Sequence, residues 1–70
     1  KEIFVAYELL GKYDKAEDVL YEMINKAKDK DKMKKLGIDF YNRLLNKNED
    51  DLIKGNLPIE EVKESLKDLI

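Results

Sequence analysis

The chain has 70 residues, of which 43% are hydrophobic and 43% are charged, and its formal net charge is -2. A chain of this length forms one small domain, and this balance of apolar and charged residues favours amphipathic helices over disorder. The sequence has no cysteine and no histidine. This excludes disulfides and thiolate metal sites and removes the commonest general base, so we predict no enzyme, no metal and no cofactor.

Targeting and surface-binding signals are also missing from the sequence. No apolar run approaches the ~18 residues of a membrane span, and no signal peptide is visible. Every predicted helix mixes charges of both signs, whereas nucleic-acid binding would need a face of Lys and Arg alone. We therefore expect a cytoplasmic protein that binds neither nucleic acid nor membrane. Because residue 1 is Lys and the helical pattern begins at once, we expect residues 1–70 to be a single helical domain from the C-terminal part of a longer chain.

The first predicted helix covers residues 1–10 and is apolar on nearly every side. Its expected core stripe consists of Ile3, Phe4, Tyr7 and Leu10. Val5 and Leu9 lie outside this stripe. An all-round apolar helix is normally buried, so we expect either an upstream segment or another chain to cover Val5 and Leu9.

A tight turn follows at Gly11, which can adopt the positive φ that closes a helix. Asp14 and Glu17 have the spacing of a capping box, which predicts a second helix over residues 14–28. Tyr21 lies beside the apolar stripe of this helix, either at the edge of the core or as a contact residue. The stripe itself consists of Ala16, Val19, Leu20, Met23, Ile24 and Ala27.

The charged run 26–32 interrupts the apolar pattern and indicates a solvated helix end and turn. Apolar residues then recur over 33–45 and predict a third helix. Asn48 is the expected cap of a short helical turn that ends at Gly55. Pro58 fits the first position of a fourth helix. Because no segment alternates with a period of two, we predict an all-α fold, a small antiparallel array of four helices and a short helical turn.

Two possible sites fail on their residue types. The acidic run 49–51 would belong to a calcium loop starting at Asn46, but that loop would need Gly in place of Asp51 and Glu in place of Leu57. Ser65 has no histidine to activate it as a nucleophile. The acidic run is therefore interpreted as the first turn of a capped helix, and Ser65 as an ordinary helix residue.

The hairpin carries the pattern Gly-x-Tyr-x-x-Ala at Gly11, Tyr13 and Ala16, with Leu20 and Met23 after it and with Ile3 and Tyr7 before it. In these positions residues 3–28 resemble the centre of a tetratricopeptide repeat. Met23 stands where that family has a small residue, which implies a wider spacing to the next helix. The overall run of the sequence, including residues 56–62, is also similar to a family of uncharacterised bacterial proteins with a repeat-like hairpin, a likeness that implies no known activity.

The resemblance to tetratricopeptide repeats implies binding of a protein or peptide partner on the face of the first helix. The expected contact residues are Glu2, Val5, Glu8 and Leu9, with Tyr21 as a further candidate. We therefore expect a non-catalytic protein-interaction or oligomerisation module, for which a weak homodimer is one form. The alternative is a structural scaffold region of a larger bacterial protein. A stable monomer favours the scaffold, and a concentration-dependent dimer favours the module.

Overall fold

The computed structural model describes residues 2–70, which fold into helices with no strand in that range. The helices are α1 (Glu2–Leu9), α2 (Tyr13–Lys26), α3 (Lys30–Leu45), α4 (Glu49–Lys54) and α5 (Ile59–Leu69). The all-α prediction is confirmed, and α4 is the predicted short helical turn. Lys1, which the predicted first helix included, lies outside the described residues.

The helices form a thin slab. α1 packs against α2 as a hairpin, α2 packs against α3, and α5 packs against both α3 and α4. The backbone measures 35 × 24 × 14 Å along its principal axes. Since packed helix axes are about 8–10 Å apart, the shortest dimension leaves room for two layers of helices. The core is therefore narrow, and each helix has a side that faces solvent.

Phe40 of α3 lies at the centre of this core. Its ring centroid is 5.0 Å from that of Phe4 and 5.1 Å from that of Tyr41. Such aromatic pairs add about 0.5–1.5 kcal/mol beyond the area they bury. The predicted stripes of the second and third helices supply much of the rest. The buried hydrophobic residues are Phe4, Tyr13, Ala16, Leu20, Phe40, Tyr41, Leu44, Leu52, Leu57 and Val62.

The predicted core stripe of the first helix is only partly right. Phe4 is buried and Tyr7 is half-buried, but Ile3 and Leu10 are 62% and 69% exposed. Because α1 ends at Leu9, Leu10 lies in the turn and does not extend the stripe. A helix that is apolar on all sides has no periodic pattern that indicates its buried face. The contacts of α1 with α2 and α3 therefore determine which side of the helix is buried.

The turn between α1 and α2 has the predicted geometry. Gly11 has a φ of +75°, which confirms the expected left-handed residue. The backbone N–H groups of Gly11 and Lys12 donate to the carbonyl oxygens of Glu8 and Tyr7 at 3.1 and 2.9 Å. These bonds satisfy carbonyl groups that the end of α1 would otherwise leave free.

The predicted capping box at the start of α2 is wrong. The helix begins at Tyr13, its N-cap residue is Lys12, and no side chain caps it. The side-chain amide of Asn56 instead donates to the Asp14 carboxylate at 3.1 Å, and the backbone N–H of Asp14 donates to the carbonyl oxygen of Gly55. The hydrogen bond from Asn56 lowers the pKa of Asp14. The loop after α4 therefore supplies hydrogen-bond partners to the first turn of α2. The sequence around that turn does not indicate this contact.

The remaining helix ends were predicted to within a few residues. The charged run does contain the break: α2 ends at Lys26, and the Asp29 side chain caps α3 by accepting from the N–H of Lys32 at 3.1 Å. The prediction missed the first turn of α3 because its residues are charged. Asn48 caps α4 as predicted, whereas Pro58 is the N-cap of α5 and not its first residue.

Candidate functional site

The side of α1 that faces away from the core is apolar. We define the outer face of α1 as the exposed residues of segment 2–10, namely Glu2, Ile3, Val5, Ala6, Leu9 and Leu10. The exposed fraction is 44% for Val5 and 83% for Leu9. Glu2, Val5, Ala6 and Leu9 also line a shallow surface depression. An exposed apolar patch of this kind is typical of a site that contacts another molecule.

The helices α3 and α5 follow the opposite, ordinary pattern. The exposed residues of α5 are all charged: Glu60, Glu61, Lys63, Glu64, Lys67 and Asp68. The exposed residues of α3 are likewise all polar or charged. On the short helix α4, Ile53 is an isolated exposed aliphatic residue. The outer face of α1 is therefore a local feature, and general surface hydrophobicity does not account for it.

The structure brings together three of the five predicted contact residues. Glu2, Val5 and Leu9 share the outer face, and Ile3 and Leu10, which the sequence analysis assigned to the core, join them. The signal for these two was present in the all-round apolar character of the first helix. The fifth candidate, Tyr21, lies on α2 and is 38% exposed.

Glu8, the fourth candidate, is engaged within the chain. Its carboxylate accepts from Nε and Nη2 of Arg43 on α3 at 2.8 and 2.7 Å. This two-bond contact fixes the geometry of both side chains, and the hydrogen bond that Arg43 donates to Glu8 raises the pKa of Arg43. Glu8 therefore anchors α1 to α3, beside the outer face.

A second apolar groove of about 520 Å³ opens where α1, the end of α2 and the start of α3 meet. Its apolar lining consists of Ile3, Val19, Met23, Ala27 and Met33. Charged residues complete the lining, and two of them, Glu22 and Lys26, form an ion pair at 2.9 Å. Ile3 belongs to both this groove and the outer face of α1, so the two apolar surfaces are continuous.

A polar cluster joins α2, α3 and α5 inside the domain. The Glu17 carboxylate accepts from the Tyr41 hydroxyl at 2.6 Å and from the Ser65 hydroxyl at 3.1 Å, both at Oε2. Burial, and then the hydrogen bond to Glu17, raises the pKa of Tyr41 far above its usual value. Tyr41 therefore stays a donor, and Glu17 connects three helices in place of its predicted role in a cap.

We expect Tyr41→Phe to lower the free energy of unfolding at neutral pH by about 1.5–3 kcal/mol, because a hydrogen bond to a carboxylate is lost. Above a pH of about 10 tyrosine ionises in the unfolded chain. There the parent loses stability, because its native state keeps a proton that the unfolded chain releases. The stability difference between the parent and Tyr41→Phe should therefore shrink as the pH rises above this value.

Urea unfolding of both proteins at neutral pH and at several alkaline values measures this difference. Ser65→Ala is the matched control, because it removes the other hydrogen bond to Glu17 but no phenol. Its difference from the parent should not change over the same range. A constant difference for Tyr41→Phe would contradict the role assigned to the buried hydroxyl.

Within residues 2–70, no three acidic side chains are placed so that they could hold a metal ion. None of the helices in this range has the length and apolar character needed to cross a bilayer.

The fold and its surface define a small all-α array in which α1, the first helix of the described residues, exposes an apolar face. The chain belongs to a family of unknown function, DUF6483, whose family model matches residues 1–70. The predicted likeness to an uncharacterised family is therefore confirmed: the matching family has no known function. None of the curated proteins and none of the solved structures compared with the chain matches it.

Proposed function

We propose that this domain is a non-catalytic protein-interaction module that associates through the outer face of α1. The observation that carries the proposal is the exposure of Val5 and Leu9 beside Ile3 and Leu10. Burying a large aliphatic side chain contributes about 1.5–3 kcal/mol relative to leaving it in water. The slab that residues 2–70 form is thin, so covering this apolar face benefits it.

The way in which α1 is held supports the same proposal. Phe4 anchors the helix in the core, Glu8 is bound to Arg43, and the turn at Gly11 fixes its end. A face that is already held in one orientation loses little conformational freedom when a partner binds. The outer face of α1 is therefore a preorganised contact surface.

The size of the face sets the expected affinity. The described part of α1, Glu2–Leu9, has 8 residues, which corresponds to a length of about 12 Å. A contact built on one such helix is smaller than the standard interface of about 1,600 Å². We therefore propose weak, concentration-dependent association.

We also propose that the α1–α2 hairpin is related to tetratricopeptide repeats. The positive φ of Gly11 and the buried side chains of Tyr13 and Ala16 support this relation. Met23, which stands where that family has a small residue, is half-buried and lines the groove. The lysine-rich, cysteine-free sequence supports a bacterial cytoplasmic origin.

The proposal predicts the effect of placing charge on the outer face. In sedimentation velocity over a concentration series, the parent should shift from monomer towards dimer. Val5→Lys combined with Leu9→Lys should remain monomeric, because two ammonium groups would have to be desolvated in the contact. Ile53→Lys is the matched control: it changes another aliphatic residue that is 63% exposed, on α4, and should associate like the parent.

Both substituted side chains of the double variant are exposed, so the helical fold should survive, and circular dichroism checks this. Association of the double variant at the parent's concentrations would show that the outer face is not the contact surface. A parent that stays monomeric at millimolar concentration would favour the alternative, a scaffold region of a larger protein.

A further inference from the structure

We propose that the groove where α1, the end of α2 and the start of α3 meet is a binding site for one fatty-acid molecule. The hydrocarbon chain lies along α2, and the carboxylate lies at the turn between α2 and α3. The inference goes beyond the proposed function and does not rest on it, because the groove adjoins the outer face of α1 but has its own lining. It follows from the shape of the groove and from the position of its charges.

The floor of the groove is an apolar line along α2. Val19, Met23 and Ala27 follow each other at intervals of four residues, so they lie on one side of the helix and its C-cap. All three are half-buried, and the helix rises about 12 Å over this span. Ile3 and Met33 add to the lining from α1 and α3. The groove is therefore elongated, and its volume of about 520 Å³ is that of a small-molecule site.

Two lysines stand at one end of this line. Lys28 directly follows Ala27, Lys32 directly precedes Met33, and both lysines are exposed and line the groove. Within residues 2–70, neither ammonium group forms a hydrogen bond or an ion pair with another side chain. A carboxylate at this end of the groove would therefore meet two cations that have no other partner in that range.

The two acidic residues of the lining are already engaged. The Glu22 carboxylate pairs with Nζ of Lys26 at 2.9 Å. The Asp29 carboxylate accepts from the backbone N–H of Lys32 at 3.1 Å and so caps α3. With three lysines against two acids, the described lining has an excess of one positive charge. This excess matches a ligand that carries a single negative charge.

The lining favours a hydrocarbon chain over a peptide. Backbone groups at the turn are already paired: the N–H of Ala27 donates to the carbonyl oxygen of Ile24, which also accepts from Nζ of Lys30. An extended peptide buried here would leave its own N–H and C=O groups without partners, which is costly. A helix, about 10 Å across, would have to cover the charged rim. A methylene chain needs no hydrogen-bond partner, and flexible methionines adapt to its shape.

The first test uses the methionines as probes. Both methionines of the chain, Met23 and Met33, line the groove, so isotope labelling of their methyl groups for NMR reports directly on this site. Titration with decanoate below its micelle concentration should shift both signals with one dissociation constant. Each methylene removed should weaken binding by up to about fourfold, so octanoate binds less tightly. Decylammonium, with the same chain and a positive head, should bind several-fold less tightly than decanoate.

The second test removes the cations. Lys28→Gln combined with Lys32→Gln should weaken decanoate binding about twofold to tenfold at low salt and should diminish the preference over decylammonium. Lys34→Gln combined with Lys35→Gln is the matched control, because it removes the same charge from exposed positions of α3 outside the groove lining. Lys1, which lies outside the described residues, is the same in all these proteins and does not affect the comparison.

Two further variants locate the bound chain. Ala27→Phe places a ring on the floor of the groove and should weaken decanoate binding more than tenfold. Val5→Lys combined with Leu9→Lys changes the outer face and leaves the groove lining intact, so it should bind decanoate like the parent. Circular dichroism checks that both variants keep the helical fold.

The outcomes separate the inference from the proposed function. The inference is overturned if decanoate leaves both methionine signals unmoved, if decylammonium binds as tightly, or if a helical peptide of Leu and Glu shifts the signals where decanoate does not. It is also overturned if the folded outer-face variant loses decanoate binding, because the acid then occupies the outer face. Retained decanoate binding with unchanged self-association in that variant supports the groove site and overturns only the proposed function.

Discussion

Gly55→Ala is expected to lower the free energy of unfolding by about 1–3 kcal/mol, the cost of forcing extra volume into a packed site. A Cβ atom at this position would lie 2.5 Å from the carbonyl oxygen of Gly11 and would also meet the ring of Tyr13. Neither neighbour is free to move. The Gly11 oxygen is part of the turn that positions α1, and the Tyr13 ring is buried.

Two other glycines provide controls for this prediction. Gly11→Ala has no atom within 4 Å of its added Cβ, but it must adopt a φ of +75°, which costs about 1–2 kcal/mol for an L-residue. Gly37→Ala meets the end of the Leu69 side chain at 2.8 Å, which can adjust. In urea unfolding, Gly55→Ala should be at least as destabilised as Gly11→Ala and more so than Gly37→Ala. A Gly55→Ala protein as stable as the parent would contradict the close contact.

Gly11 and Gly55 show which features the sequence predicts. Gly11 was correctly expected to have a positive φ, because the signal is local: an apolar run, a glycine and then a new helix. Gly55 was expected to end α4, and it does. Its φ is ordinary, however, and the left-handed residue is Asn56, with a φ of 58°. Gly55 is needed for its small size against a turn distant in the chain, and no local pattern records that contact.

The difference between local signals and contacts between distant parts of the chain also explains which other sequence predictions were right. α2 and α3 were predicted because their apolar and charged sides differ, and the cap at Asn48 was predicted because it acts within its own first turn. Glu17 was misassigned to a cap because its partners, Tyr41 and Ser65, lie on distant helices.

The exposed side of α1 was predicted in part for a related reason. Excess apolar residues on the first helix indicated that some would remain exposed, which is the case for Val5 and Leu9. Which others join them depends on how α1 rotates against α2 and α3. That rotation is set by packing, so the exposure of Ile3 and Leu10 was not predicted.

Phe4→Ala is the substitution with the largest expected effect. Among residues 2–9 of α1, Phe4 alone is fully buried, and its ring packs against Phe40 at 61°. Truncating a buried phenylalanine to alanine costs about 3–5 kcal/mol. The other attachments of α1 are the half-buried Tyr7 and the partly exposed ion pair of Glu8 with Arg43. Since exposed ion pairs contribute at most about 1 kcal/mol, these contacts do not replace the lost ring.

We therefore expect α1 to detach locally in Phe4→Ala, while α2, α3 and α5 keep their contacts through Leu20, Phe40 and Val62. Hydrogen exchange should then become fast in the amides of α1 and remain slow in α3. Phe4→Leu, which retains most of the apolar volume, is the matched control and should keep α1 docked. If protection falls equally in all helices, α1 is not a separately docked unit.

Association should respond to the same substitution, although Phe4 is not on the outer face. When α1 is detached, Val5 and Leu9 are no longer held in one orientation, and binding then includes the cost of ordering the helix. Phe4→Ala should therefore lose concentration-dependent association, and Phe4→Leu should retain it. A Phe4→Ala protein that associates like the parent while its α1 amides exchange freely would show that the contact lies elsewhere on the domain.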